Sequence, residues 1–225
     1  MTAAAAEVIA WRAGPWLARY VPVDRQELWA VIEDARADAS GGADVVAARA
    51  ASLLAPLSAE QIVAAAQLLW NLMADSYRGD LWAAAYLING GASDDGFEYF
   101  RGWLIAQGRE AFNSAVADPD SLATLPAVQA AAAKGEVLEG EPVLGIAWDA
   151  YLTATGQRLP PGSFTISYPP ISFGWDFDDD TAMRARLPRL ARLFMGPSQL
   201  RRTRGQTSRE QNHPGDIDDL LVQRT

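Results

Sequence analysis

The chain has 225 residues, with 28 acidic side chains against 19 basic ones, one histidine and no cysteine. A formal charge of −9 repels phosphate backbones, so nucleic-acid binding would require a local basic patch and is not expected. The lack of cysteine removes disulfides, thiolate metal sites and a cysteine nucleophile together, and fits a reducing compartment.

The N-terminal Met1-Thr2-Ala3-Ala4-Ala5-Ala6-Glu7 has no basic segment ahead of an apolar run, so it is a poor secretory signal and a cytoplasmic location is expected. The apolar stretches fall short of the roughly 20 residues a membrane span needs. No membrane partner is expected. Lys134 is the only lysine; with the abundant alanine, this skew reflects a GC-rich bacterial genome and carries no functional information.

Residues 1–23 mix small side chains with Trp11, Trp16 and Tyr20 and are taken as an N-terminal arm. Asp24 with Glu27 forms a capping-box pattern, followed by Leu28, Trp29, Ile32 and Ala35 at helical spacing. Ser40-Gly41-Gly42 stops that helix. A second helix is expected over Asp44 to Leu54, and a third after the cap Ser58, with Ile62, Ala65, Ala66, Leu69, Leu72 and Met73 on its buried face.

A fourth helix contains Leu81, Trp82, Ala85, Tyr86 and Ile88 and ends at Gly90-Gly91. A fifth runs from Ser93 or Asp94 to Gly108. Shorter helices are expected over Arg109 to Ala117, Leu125 to Lys134 and Val143 to Thr155, with turns at Pro119 and Pro126. From Arg158 to Gly174, four prolines surround the alternating Phe164-Thr165-Ile166-Ser167-Tyr168; this predicts an extended segment with room for one edge strand. A last helix starts near Asp178-Asp179-Asp180 and is interrupted at Pro188. After Gly196 the chain turns polar through Arg201-Arg202-Thr203-Arg204, ending on the acidic-apolar Ile217-Asp218-Asp219-Leu220-Leu221-Val222. The prediction is a mainly α fold: one multi-helix domain over 24–195, a short extended Pro-rich segment near 158–174, and a flexible polar tail over 196–225.

The densest stretch is Asp80 to Glu110. A purely structural account covers most of it: Gly90-Gly91 ends one helix, Ser93 caps the next, Asp94 and Asp95 complement its dipole, and the aromatics fill the core. Three features exceed that account. There are two adjacent carboxylates. Gly96 and Gly102 lie inside the helix at up to about 1 kcal/mol each relative to alanine, which points to the close approach of another helix or a ligand. Arg101 follows Asp94 by seven residues, so the two share a face. The candidate ligand-binding residues are therefore Asp80, Trp82, Ser93, Asp94, Asp95, Phe97, Arg101 and Trp103.

The sequence resembles the family called domain of unknown function 4240. The resemblance is carried by Leu28-Trp29, Asp80 to Ile88, the turn Gly90-Gly91-x-Ser93-Asp94-Asp95-Gly96-Phe97, Phe100-Arg101-Gly102-Trp103-Leu104-Ile105-x-Gln107-Gly108, and Asp118-Pro119-Asp120-Ser121-Leu122. Trp175-Asp176-Phe177-Asp178-Asp179 and Leu187-Pro188-Arg189-Leu190 are similar to its closing segment. It spans roughly residues 24–194 and implies a fold neighbourhood without an activity.

Other chemistry is thin. His213, the only histidine, lies in the polar tail, so a histidine triad or multi-histidine metal site is excluded. Asp176, Asp178, Asp179 and Asp180 lack the glycine and distal glutamate of an EF-hand and are better taken as a capping turn. No phosphate-binding loop occurs, and no cofactor or metal is expected. Trp70 and Trp148 are expected as core anchors. Three readings stay open. One is a binding module in which the Asp94/Asp95 turn recognises a cationic group on a peptide, protein or small molecule. Another is a tailoring or hydrolytic enzyme using Asp94, Asp95 or Glu98 as general acid or base. The third is a structural turn, with function elsewhere.

Overall fold

The computed structural model describes residues 24–37 and 41–196. The N-terminal arm, residues 38–40, His213 and the polar tail from residue 197 lie outside the described residues. The described chain is helical without any strand: α1 (Arg25–Ala37), α2 (Ala43–Leu54), α3 (Ala59–Asp75), α4 (Gly79–Asn89), α5 (Asp94–Ala106), α6 (Arg109–Ala117), a 3-10 helix (Pro119–Thr124), α7 (Pro126–Lys134), α8 (Glu141–Leu144), α9 (Ile146–Thr155), α10 (Asp180–Arg186) and α11 (Pro188–Phe194).

The helix starts follow from their caps. Asp24 accepts from the Gln26 and Glu27 amides while Glu27 reaches back to the Asp24 amide at 3.2 Å. Ser58 and Gln61 close a second capping box at α3. Gly90 ends α4 in the left-handed region, at φ 70°, where a side chain would be strained. The helix expected over Val143 to Thr155 divides at Gly145 into α8 and α9.

α5 is the centre of the domain. It packs against α1, α2, α3, α4, α6 and α8, and Phe97, Phe100, Leu104 and Ile105 are fully buried on it. A helix covered on so many sides leaves little room for backbone neighbours, and Gly102 is where one comes closest. A Cβ there would lie 2.5 Å from the Gly140 carbonyl oxygen, and one on Gly140 would lie 2.6 Å from the Trp103 amide nitrogen. The Gly140 amide donates to the Tyr99 carbonyl at 2.9 Å, sealing the crossing. Gly96 meets no such approach among the described residues: a Cβ there would touch only Ser93 Oγ, at 3.5 Å.

Between α9 and α10 the chain crosses the helices as an extended strap. The edge strand for which Phe164–Tyr168 left room does not form, because no other described segment runs extended beside it. The Gln67 side-chain amide takes the partner's place, donating to the Thr165 carbonyl at 3.0 Å and accepting its amide at 2.8 Å. Aromatic anchors do the rest. Phe164 stacks on Trp70 and meets Trp148 edge-on, and Phe173 meets Trp82 edge-on. The Ser172 carbonyl passes so near Gly79 that a Cβ there would lie 2.5 Å from it.

The two interior glycines of α5 should therefore respond oppositely to substitution. Gly102→Ala is expected to cost about 1–3 kcal/mol through overpacking. Gly96→Ala should be neutral or stabilising by up to about 1 kcal/mol. Urea unfolding of both variants checks this, and equal costs would refute the close-approach account.

Candidate functional site

The residues around the α4–α5 turn divide into a buried half and an exposed half. Ser93 is the α5 N-cap, and its Oγ accepts the Gly96 amide at 3.2 Å. Asp94 and Asp95, in the first turn, are exposed. Neither joins an ion pair or accepts a side-chain hydrogen bond among the described residues. Burial, then the Asp95 charge, raises the Asp94 pKa, so part of its hydration has been lost without a compensating donor.

One turn further the helix enters the core. Arg101 is only 2% exposed, and its guanidinium is enclosed by rings. Its carbon lies 4.8 Å from the Phe97 ring centre, 4.8 Å from Tyr168 and 5.0 Å from Tyr77. One Nη donates to the Met73 carbonyl at 2.6 Å, while Nε has no partner among the described residues. Met73 is in the last turn of α3, where the helix dipole is negative, so Arg101 sits where a cation is favoured. Ring quadrupoles add roughly 0.5–2 kcal/mol for each well-placed cation contact in desolvated surroundings.

Glu98 lies between the two halves, four residues after Asp94 and three before Arg101. It is 7% exposed and accepts the Tyr168 hydroxyl at 3.0 Å. Its pKa is raised by burial; Arg101 and the Tyr168 hydrogen bond pull it back, and Asp95 and Asp94 push it further up. Burial also raises the Tyr168 hydroxyl well above its ordinary value, against the lowering effect of Arg101. Burial and the Asp94 charge raise Tyr77.

The remaining sequence-derived candidates are placed as follows. Trp82 and Phe97 stack at 4.6 Å beside Tyr77, and the Trp82 indole donates to the Ala92 carbonyl at 3.0 Å. Asp80 lies at the exposed start of α4, paired with Arg78 at 3.0 Å, and lines a groove. Trp103 is not gathered with the others. Two residues past Arg101 it is turned about 200° round the helix, and its ring packs on Phe100. The structure thus brings Trp82, Phe97 and Arg101 together, joined by Tyr77, Glu98 and Tyr168. Glu98 was legible from its helical spacing to Asp94 and Arg101. Tyr168, 70 residues further on, carried no local signal.

The other acidic motifs are occupied by structural tasks. Asp120, 4% exposed, accepts the Arg189 and Leu190 amides and the Arg189 Nε at 2.8–3.0 Å, and Asp118 also pairs with Arg189. Asp179 caps α10, and Asp178 accepts the Tyr86 hydroxyl at 2.6 Å, holding that phenol up at about 12. Among the described residues no group of three or more His, Cys, Asp or Glu could hold a metal ion, and no helix is long and apolar enough to cross a membrane.

The profile of a family described as "Protein of unknown function (DUF4240)" matches residues 23–153, more than half of the chain. The strap and the last two helices follow the matched region. No curated protein and no solved structure matches the chain.

A group whose folded-state pKa is raised favours the folded state while protonated, and that contribution is lost as pH rises through the folded value. For Glu98 the loss begins near its ordinary value of 4.5. Glu98→Gln keeps an acceptor for Tyr168 and cannot ionise. Its melting temperature should match the wild type below that pH and gain on it as pH rises towards neutral. A difference that stays constant across thermal melts from acid to neutral pH would refute the desolvated-carboxylate account.

Proposed function

The chain belongs to the DUF4240 family, and we propose that it is a binding module whose Asp94/Asp95 turn recognises a cationic group, guanidinium or ammonium, on a peptide, protein or small molecule. One observation carries this reading. Arg101, the cation that shares their helix face, is withdrawn into an aromatic enclosure, while Asp94 and Asp95 stay exposed and join no ion pair among the described residues. Capping does not account for them, since Ser93 already takes the Gly96 amide. Two carboxylates at one turn, with Glu98 behind them, form a local negative potential that attracts cations and excludes anions.

The enzyme reading draws on Glu98, whose raised pKa suits a general acid. Binding is favoured over it because the Glu98 carboxylate is covered by Tyr168 and does not line the open groove beside Asp80. A catalytic acid must come within hydrogen-bond reach of the atom it serves.

An arginine octapeptide and a lysine octapeptide, titrated calorimetrically against the full chain, test the proposal. Binding should weaken with added salt. The Asp94→Asn, Asp95→Asn double variant should lower affinity by about tenfold or more. Because each exposed first-turn carboxylate contributes only about 0.3–1 kcal/mol to a helix, the melting temperature should fall slightly. A variant that binds as the wild type does, or that loses binding only because it unfolds, removes the basis for this site.

A further inference from the structure

The strap builds a second surface, separate from the acidic turn. Where it passes the start of α4 it leaves a groove of about 460 Å³, within the size range of ligand sites. Tyr77 and the Arg78–Asp80 ion pair form one wall; Phe173, Trp175 and Arg186 form the other. Phe173 is 43% exposed, one of the few large apolar side chains on the described surface.

Two further observations narrow what such a groove can hold. The first is backbone chemistry. The strap is extended over 171–173, without being part of a sheet, until Gly174 turns it at φ 66°, and the amides of Ile171, Ser172 and Phe173 donate to no atom among the described residues. Successive amides of an extended chain point to opposite sides, so the alternate pair Ile171 and Phe173 is what a second extended chain bonds when it adds to such an edge. The second is charge. Asp80 neutralises Arg78, whereas Arg186 lies over the Trp175 ring at 5.2 Å and joins no ion pair among the described residues. Among the charged side chains lining the groove, the one left without an ion pair is positive.

We infer that this groove docks an extended acidic-apolar peptide segment. Its backbone pairs with the Ile171 and Phe173 amides, its apolar side chains cover Tyr77, Phe173 and Trp175, and a carboxylate meets Arg186. The occupant has the opposite charge to the one proposed for the acidic turn, so the two sites are independent. The chain's own Ile217-Asp218-Asp219-Leu220-Leu221-Val222, outside the described residues, has this chemistry and supplies a probe.

A fluorescently labelled peptide of residues 217–222 is titrated with two forms of the full chain, wild type and Asp218→Asn, Asp219→Asn. In the second form the chain's own motif no longer competes by charge. Saturable, salt-sensitive binding to at least one form is expected. In that form Arg186→Ala and Trp175→Ala should each lower affinity by about tenfold or more. Asp94→Asn, Asp95→Asn should leave it unchanged. Arg186→Glu should restore binding to a peptide in which both aspartates are lysine, a rescue that misfolding cannot produce. The proposal is overturned if the peptide binds neither form or binds Arg186→Ala as tightly. It is equally overturned if binding is lost in Asp94→Asn, Asp95→Asn alone, or if the all-asparagine peptide binds equally well.

Discussion

A guanidinium taken out of water must be given other partners, because a buried charge left uncompensated costs several kcal/mol. Much of the structure around α5 supplies those partners to Arg101. The end of α3 contributes the Met73 carbonyl and its negative dipole. α5 itself contributes Phe97 and the field of Glu98. The α3–α4 junction contributes Tyr77, and the strap contributes Tyr168. No single neighbour returns enough to hold the charge, so the elements carrying them have to assemble together. Burying an arginine therefore ties two helices, a turn and a distant extended segment into one packing unit.

The same burial shapes the surface. With Arg101 directed inward, Asp94 and Asp95 pair with no cation among the described residues, and the exposed end of α5 stays negative. The contrast with the other acidic runs is instructive. Asp118 and Asp120 engage Arg189 and the start of α11. Asp178 and Asp179 engage Tyr86 and the start of α10. All these motifs look alike as strings of aspartate near a helix start. What separates them is whether a donor from elsewhere in the fold comes to meet them.

The strap is held by side chains instead of a ladder. Gln67 supplies the hydrogen bonds that a neighbouring strand would, Gly79 makes space for its carbonyl, and the rings of Phe164 and Phe173 seat in aromatic settings on the helices. That arrangement satisfies Thr165 but leaves the amides of Ile171, Ser172 and Phe173 without acceptors among the described residues, beside a groove. The absence of a sheet is thus a structural economy that also creates an edge.

The sequence by itself determined most of the helices with their caps and stops, although it ran α8 and α9 together and gave only turns where the 3-10 helix lies. The Asp24–Glu27 box, the Ser58 and Ser93 caps and the Gly90 terminator all act within four residues, where spacing and side-chain chemistry are sufficient. It also marked Gly102 as anomalous without naming Gly140 as the reason, and it offered the same reason for Gly96, where the structure finds only Ser93 Oγ. What only the tertiary structure decided is which single side chains meet across long separations: Arg101 with Met73, Tyr168 with Glu98, Gln67 with Thr165. Such contacts have no period and no local signature. Each is one pair fixed by the packing of everything between, which is why Asp94 and Arg101 could be placed on a common face while Arg101's withdrawal into the core could not be foreseen.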